Sequence, residues 1–101
     1  MTQIRVETRD NQTIICLVGE VAYHDANAIS QCFRTLIDEQ KREFIVDFQE
    51  CPFIDSSGLG ALIESYKEVQ QLTGSISLQN IPDDIDRVLE ITRVKKYFKI
   101  I

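Results

Sequence analysis

The sequence predicts a single α/β domain with a mixed, mostly parallel sheet and crossover helices, in the element order β-β-α-β-α-β-α-β. Short, β-branched apolar stretches alternate along the chain with stretches whose apolar residues recur every three or four positions, as in amphipathic helices. The first two strands follow one another directly, which indicates an antiparallel hairpin, and right-handed crossovers then complete the sheet. A chain of 101 residues suits one domain, and we expect it to span residues 1–101.

The first half of the chain supplies the hairpin and one crossover. Residues 4–8 alternate apolar and polar side chains, the pattern of a half-buried strand. After a polar turn at 9–12, the apolar run at 13–18 predicts a strand covered on both faces. A helix of about 16 residues follows from Asp25, a suitable N-cap, and residues 44–48 form a central parallel strand.

The second half repeats this alternation. A second helix begins after Asp55 and ends at Gly74, which we expect to be its C′ residue. Residues 75–79 predict a short strand, and a third helix starts near Pro82, which a first helical turn tolerates. The tail at 97–101 is typical of a last strand or a docked end.

Composition excludes several classes of function. Hydrophobic residues make up 44% and charged residues 27%, as in ordinary globular proteins, and the net charge of −5 with scattered basic residues argues against nucleic-acid binding. An acidic surface instead suits a protein partner with a basic face. Three cysteines without paired spacing and one histidine, His24, make a zinc site improbable, and nothing indicates a cofactor. Without an export signal or a long apolar run, we expect a reduced cytoplasmic protein that does not insert into membranes.

Residues 53–60, Phe-Ile-Asp-Ser-Ser-Gly-Leu-Gly, break the local rules because Gly58 and Gly60 fall in the first turn of a strongly patterned helix. Each glycine costs ~1 kcal/mol relative to alanine in a helix interior. One explanation is structural: Asp55 or Ser56 caps the helix, and the glycines permit close packing. The other is functional: the positive helix end accommodates a phosphate on a serine. The residues alone leave both explanations open, and either Ser56 or Ser57 could be the helix cap or the serine that is phosphorylated.

Enzymatic explanations of the same segment are weaker. The chain has no Gly-x-Ser-x-Gly elbow and no P-loop, and His24 is the only imidazole that could activate a serine. Asp47 and Asp55 could form an acid–base pair, but it is simpler that Asp47 ends a strand and Asp55 orients a loop. We therefore expect no enzymatic activity.

Three stretches resemble the STAS domain family, and more narrowly the bacterial anti-sigma factor antagonists. The most specific is Asp-Ser-Ser-Gly-Leu-Gly within residues 51–62, with Val-Asp-Phe at 46–48 before it. Leu-Val-Gly-Glu-Val at 17–21 resembles the second strand of the family and its following turn, and 81–89 resembles its late helix. The likeness extends over nearly the whole chain.

The resemblance implies partner switching in transcription control. In such systems the antagonist binds an anti-sigma factor that is also an ATP-dependent serine kinase, and so frees a sigma factor. The kinase phosphorylates the serine directly after the motif aspartate, which corresponds to Ser56, and a PP2C-type phosphatase reverses this. Asp55 corresponds to the neighbouring aspartate, and Ser57 and Gly58 to residues that shape the loop.

The chain departs from the family at two turns. Ala22 stands where the family commonly has aspartate, which removes a carboxylate near the expected site. Arg93 stands where a late turn commonly has glycine, which predicts an altered turn.

We expect the partner to dock on the loop before the first helix and on the start of the second helix. Leu59 or Ile63 would supply an apolar centre and Tyr23 an aromatic anchor. The expected surface comprises Tyr23, His24, Asp25, Asp55, Ser56, Ser57, Gly58, Leu59, Gly60 and Ile63. An alternative is an unphosphorylated adaptor or scaffold subunit of a signalling or transport complex, with Ser56 only a cap; nucleotide binding is a third possibility.

Overall fold

The computed structural model describes Met1 and residues 3–101, and the predicted element order is confirmed. Within these residues, no helix is both long and apolar enough to cross a membrane. Two short 3₁₀ helices span Tyr23–Asp25 and Lys95–Tyr97. The strands and α-helices are β1 (Gln3–Arg9), β2 (Gln12–Val18), α1 (Ala26–Asp38), β3 (Glu43–Asp47), α2 (Ser56–Gln71), β4 (Ser75–Gln79), α3 (Asp83–Ile91) and β5 (Lys99–Ile100).

The five strands lie side by side in sequence order. β1 and β2 form the predicted antiparallel hairpin, with Arg9 opposite Gln12 and a two-residue turn in which Asp10 has a φ of 57°. β2, β3, β4 and β5 run parallel to one another. The carboxyl ends of β2, β3 and β4 therefore meet at one edge of the sheet, where loops carry the candidate site.

The helices cover one face of the sheet. The main core combines buried side chains of α1, α2 and α3 with inward residues of β2, β3 and β4, while the opposite face has its own small buried cluster. The run at 13–18 is thus buried on both faces along Thr13 to Leu17, as predicted. The sheet residues of the main core are Ile15, Leu17, Phe44, Val46, Ile76 and Leu78; those of the opposite face are Ile14, Cys16 and Ile45.

Asp25 directly precedes α1, as predicted, but its carboxylate does not cap that helix. No side-chain hydrogen bond from Asp25 reaches the first turn of α1. The residue belongs to the 3₁₀ helix Tyr23–Asp25, and its carboxylate turns back to the N–H of Ala22. Asp25 therefore occupies the N-cap position of α1, as predicted, but its carboxylate bonds to the preceding turn instead of to the first turn of the helix.

The end of α2 also differs from the expectation. Thr73, not Gly74, adopts the left-handed conformation after the helix, with a φ of 58°. A Cβ on Gly74 would lie 2.3 Å from the carbonyl oxygen of Arg42, which accepts the N–H of Ser75 at 2.9 Å. Gly74 is therefore required by the close approach of two backbones rather than by helix termination.

The tail is a strand that docks on β4. Phe98 is buried in the core, β5 runs parallel to β4, and the N–H of Ile101 donates to the carbonyl of Leu78 at 2.9 Å. Just before it, Arg93 has a φ of 63°, the left-handed conformation that glycine accommodates best. The late turn thus contains a left-handed residue although a glycine is absent from it.

Candidate functional site at the start of α2

Asp55 caps α2, which decides between the two capping candidates. Its Oδ1 accepts the N–H of Gly58 at 2.9 Å, and its carbonyl oxygen accepts the N–H of Leu59 at 3.0 Å. Ser56 and Ser57 are the first two residues of the helix, and both are exposed. The capping bond does not use either hydroxyl, so Ser56 is not the cap of this helix.

The two glycines near the start of α2 have different roles. A Cβ on Gly58 would lie 2.6 Å from Cγ1 of Val21 and 2.9 Å from Cγ1 of Ile54, and both of these side chains are buried. Gly58 therefore serves the close packing of the helix on the strand-end loops. A Cβ on Gly60 would meet nothing within 4 Å, so packing does not explain this glycine.

Backbone hydrogen bonds hold the loop after β2 against the loop before α2. The N–H of Val21 donates to the carbonyl of Phe53 at 2.8 Å, and the N–H of Asp55 donates to the carbonyl of Val21 at 3.0 Å. Val21 and Ile54 thereby form an isolated parallel bridge. Because Tyr23 follows two residues later, this bridge fixes the loop that carries Tyr23 relative to the start of α2.

Asp25 organises the Tyr23 loop from within. Its side chain is buried, and Oδ2 accepts the Ala22 N–H and the amine of Met1, both at 2.9 Å. The Ala22 N–H is the main cause of a pKa below the ordinary value for this carboxyl. Nε2 of His24 lies 3.6 Å from the same oxygen. Asp25 therefore stabilises the loop and does not present its carboxylate to solvent.

The expected docking residues divide by exposure. Tyr23 is 76% exposed, whereas Leu59 is only 5% exposed and belongs to the core. Of the two candidates for an apolar centre, this leaves the partly buried Ile63. Tyr23, His24, Ser56 and Ser57 are exposed; Asp55, Gly60 and Ile63 are partly exposed; Asp25, Gly58 and Leu59 are buried.

Phe53 is a candidate that sequence reasoning did not include in the docking surface. Its side chain is 47% exposed although the neighbouring Ile54 is buried at 2%. The alternation arises because Ile54 bridges to Val21 and points into the core. The sequence did offer a signal for Phe53, since it is an aromatic residue two positions before the helix cap. The direction of its side chain, however, depends on the bridge between Val21 and Ile54.

Asp47 and Asp55 are both engaged in local structure. Oδ1 of Asp47 accepts the N–H of Gln49 at 2.9 Å and Nδ2 of Asn80 at 3.1 Å, and Oδ2 accepts Nε2 of Gln79 at 3.2 Å. These bonds join the ends of β3 and β4, as expected for a residue that ends a strand. Across Met1 and residues 3–101, no group of three histidine, cysteine or acidic residues is placed to hold a metal ion.

Residues 3–101 match the STAS domain. The chain belongs to this family. It is 27% identical to the anti-sigma F factor antagonist of Paenibacillus polymyxa, over 97% of this chain and 85% of that protein. It is 25% identical to the anti-sigma-B factor antagonist of Bacillus subtilis, over 96% and 88%.

Comparison of structures agrees on the fold. A candidate anti-sigma factor antagonist from Thermotoga maritima superposes with a TM-score of 0.90, covering 96% of this chain and 84% of its own, at 19% identity. The resemblance inferred from residues 46–62 is therefore confirmed at the level of the family and the fold.

Proposed function

We propose that this STAS domain is an anti-sigma factor antagonist that phosphorylation of Ser56 switches off. The observation that carries the proposal is that Ser56 is exposed at the first position of α2 while Asp55 alone supplies the cap. The names of the relatives support the antagonist role, since both antagonise anti-sigma factors. The proposal does not require enzymatic activity from this chain, because a partner kinase supplies the chemistry.

The geometry supports a switch that leaves the fold intact. A phosphate carries about −1.5 to −2 charges at neutral pH, and the positive end of α2 partly accommodates it. Because the cap bond runs from the N–H of Gly58 to Asp55, esterification of Ser56 breaks no hydrogen bond of the helix. The new charge instead changes what the surface around α2 attracts and repels.

The proposed partners are those of a partner-switching system. An anti-sigma factor with ATP-dependent serine kinase activity binds the unmodified chain, and a PP2C-type phosphatase restores that form. Tyr23 and Phe53 are the proposed aromatic contacts, because both are largely exposed on the two linked loops. Ile63, a partly buried residue of α2, is the proposed apolar contact. ATP and the sigma factor that the antagonist releases are both found in the cytoplasm, so this proposal places the chain there.

A phosphorylation assay tests the proposal, and Ser57→Ala is the matched control for Ser56→Ala. Both serines are exposed in the first turn of α2, so the two variants lose the same atoms in similar surroundings. Incubated with ATP and a cognate anti-sigma factor kinase, the wild type and Ser57→Ala gain one phosphate, and mass spectrometry maps it to Ser56. Phosphate on Ser57, or a Ser56→Ala variant that is still modified, contradicts the assignment.

Binding provides the second measurement. Ser56→Asp weakens binding to the anti-sigma factor by about tenfold or more, since a contact surface that fits an uncharged serine leaves the new carboxylate desolvated and without a partner. The same variant unfolds within a few degrees of the wild type, because no cap is lost. Unchanged binding together with an absence of phosphorylation would favour the adaptor alternative, as would a transporter operon in place of a kinase gene beside this one.

A further inference from the structure

β1 is an exposed edge of the sheet. Along Gln3–Arg9, only Ile4 is partly buried, and Val6 keeps 45% of its surface exposed. Within the described residues β1 pairs on one side only, with β2. Exposed edges with free N–H and C=O groups are templates for pairing with another strand.

The hairpin register determines which backbone groups remain free. Arg9 and Gln12 flank a two-residue turn and pair directly, and such flanking residues exchange hydrogen bonds. Because hydrogen-bonded and non-hydrogen-bonded pairs alternate along an antiparallel ladder, Ile4, Val6 and Thr8 direct their N–H and C=O groups away from β2. The free edge therefore offers three evenly spaced backbone pairs centred on Val6.

The side chains along this edge are complementary to themselves. When two copies of β1 meet antiparallel about a two-fold axis at Val6, Arg5 lies directly opposite Glu7 of the second copy, and Glu7 lies opposite the second Arg5. Directly opposite Cβ atoms are ~4.5–5.5 Å apart, whereas the diagonal like-charge neighbours are ~7–8 Å apart, so attraction outweighs repulsion. This register also pairs all seven residues and covers the exposed Val6 with its own copy.

We propose that β1 is a self-association edge, through which two copies of this chain form one continuous sheet about a two-fold axis at Val6. The free backbone groups of Ile4, Val6 and Thr8 then form about six inter-chain hydrogen bonds. A seven-residue strand is only ~23 Å long at ~3.3 Å per residue, so the contact falls below the ~1,200 Å² of a standard interface. The dimer is therefore weak, with a dissociation constant in the high micromolar range.

Charge swapping tests this edge in solution. Sedimentation equilibrium of the 101-residue chain from about 10 μM to 1 mM detects a weak dimer of this class. Glu7→Arg and Arg5→Glu each place like charges opposite one another, so each variant alone stays monomeric. Mixed in equal amounts, the two variants associate again, because one copy then carries arginine at both positions and the other carries glutamate at both. The double variant carrying both changes also dimerises.

Arg5 also contacts Glu50 in its own copy, so Arg5→Glu alone could lose dimerisation through a folding defect. Recovery of dimerisation when the two variants are mixed excludes this explanation. Lys99→Glu, on the opposite edge strand β5, is the matched control and leaves dimerisation unchanged. Raising the salt from about 50 to about 500 mM weakens the wild-type dimer.

A wild-type chain that remains monomeric at about 1 mM overturns the proposal, as does a Glu7→Arg variant that dimerises as well as the wild type. Neither result affects the proposed function, since the phosphorylation assay does not involve β1.

Discussion

Replacing Gly58 by alanine tests whether the start of α2 is built on close packing. The new Cβ would lie 2.6 Å from Cγ1 of Val21 and 2.9 Å from Cγ1 of Ile54, whereas carbon atoms in good contact are ~3.5–4.0 Å apart. Val21 is fully buried and Ile54 is 2% exposed, and both are β-branched, so neither side chain can rotate away freely. The neighbours must retreat by about 1 Å, which amounts to overpacking of a core.

Overpacking of this kind typically costs ~1–3 kcal/mol. Alanine regains up to ~1 kcal/mol through its better helix propensity, and less than that in a first turn. We therefore expect Gly58→Ala to lower the free energy of unfolding by about 1–2 kcal/mol, or Tm by ~4–15 °C for a domain of this size. Urea unfolding followed by circular dichroism measures the free energy, and a thermal scan measures Tm.

Gly60→Ala is the matched control, since a Cβ there meets nothing within 4 Å. The same substitution two residues later should stabilise the domain by ~0.5–1 kcal/mol, through helix propensity alone. If both variants shift the urea midpoint in the same direction, or if Gly58→Ala is as stable as the wild type, the packing argument is wrong. Loss of stability at Gly60 alone would refute it most directly.

Three further changes probe individual contacts. Asp55→Ala removes the bond to the N–H of Gly58 and should cost ~0.5–2 kcal/mol in urea unfolding, with Asp55→Asn losing only part of it. Arg93→Gly relieves a left-handed backbone at a φ of 63° and should raise stability, by up to ~1 kcal/mol; a decrease would contradict this. In the folded state the pKa of Asp25 lies below its ordinary value of ~3.9, chiefly because its carboxylate accepts the Ala22 N–H. The contribution of this carboxylate to the free energy of unfolding is therefore complete at a pH above the ordinary pKa. It is lost as the pH falls through the pKa of the folded state. Asp25→Asn should therefore reduce the loss of unfolding free energy as the pH falls below the ordinary pKa of an aspartate. An unchanged pH dependence in that acidic range would show that this carboxylate is not coupled to folding.

The fold was predictable because the apolar residues of its main strands and helices follow clear patterns along the sequence. The strand at β2 and the helices α1 and α2 each bury residues at the spacing that their sequence showed, and the short hairpin turn fixed the one antiparallel pair. The end of α2 was less predictable. Glycine after a helix is most often the left-handed residue, yet Thr73 takes that conformation here because the glycine is needed beside the Arg42 carbonyl. That contact joins two residues far apart in the chain, which no local pattern contains.

The candidate site shows the same division. The motif located the start of α2 and both cap candidates, and only the geometry selected Asp55 over Ser56. Exposure could not be derived in advance, because Leu59 and Ile63 both fit an apolar stripe, and the helix rotation that buries Leu59 depends on the core around it. Phe53 is exposed for a related reason, since the bridge between the loops takes its neighbour Ile54 inward.

The separation between Asp55 and Ser56 suits the proposed charge switch, because a domain of this size has little stability to lose. Globular domains are stable by only ~5–15 kcal/mol, so a switch that also removed a helix cap would lose up to ~2 kcal/mol of that on each cycle. Here the carboxylate of Asp55, which caps the first turn, is one residue away from the Ser56 hydroxyl that is proposed to be modified. The buried Gly58 packs the same turn closely against Val21 and Ile54. The bridge from Val21 then fixes Tyr23 and Phe53 beside the same turn, independently of the state of Ser56. A phosphate can therefore alter partner binding through charge, while the surface that the partner contacts keeps its shape.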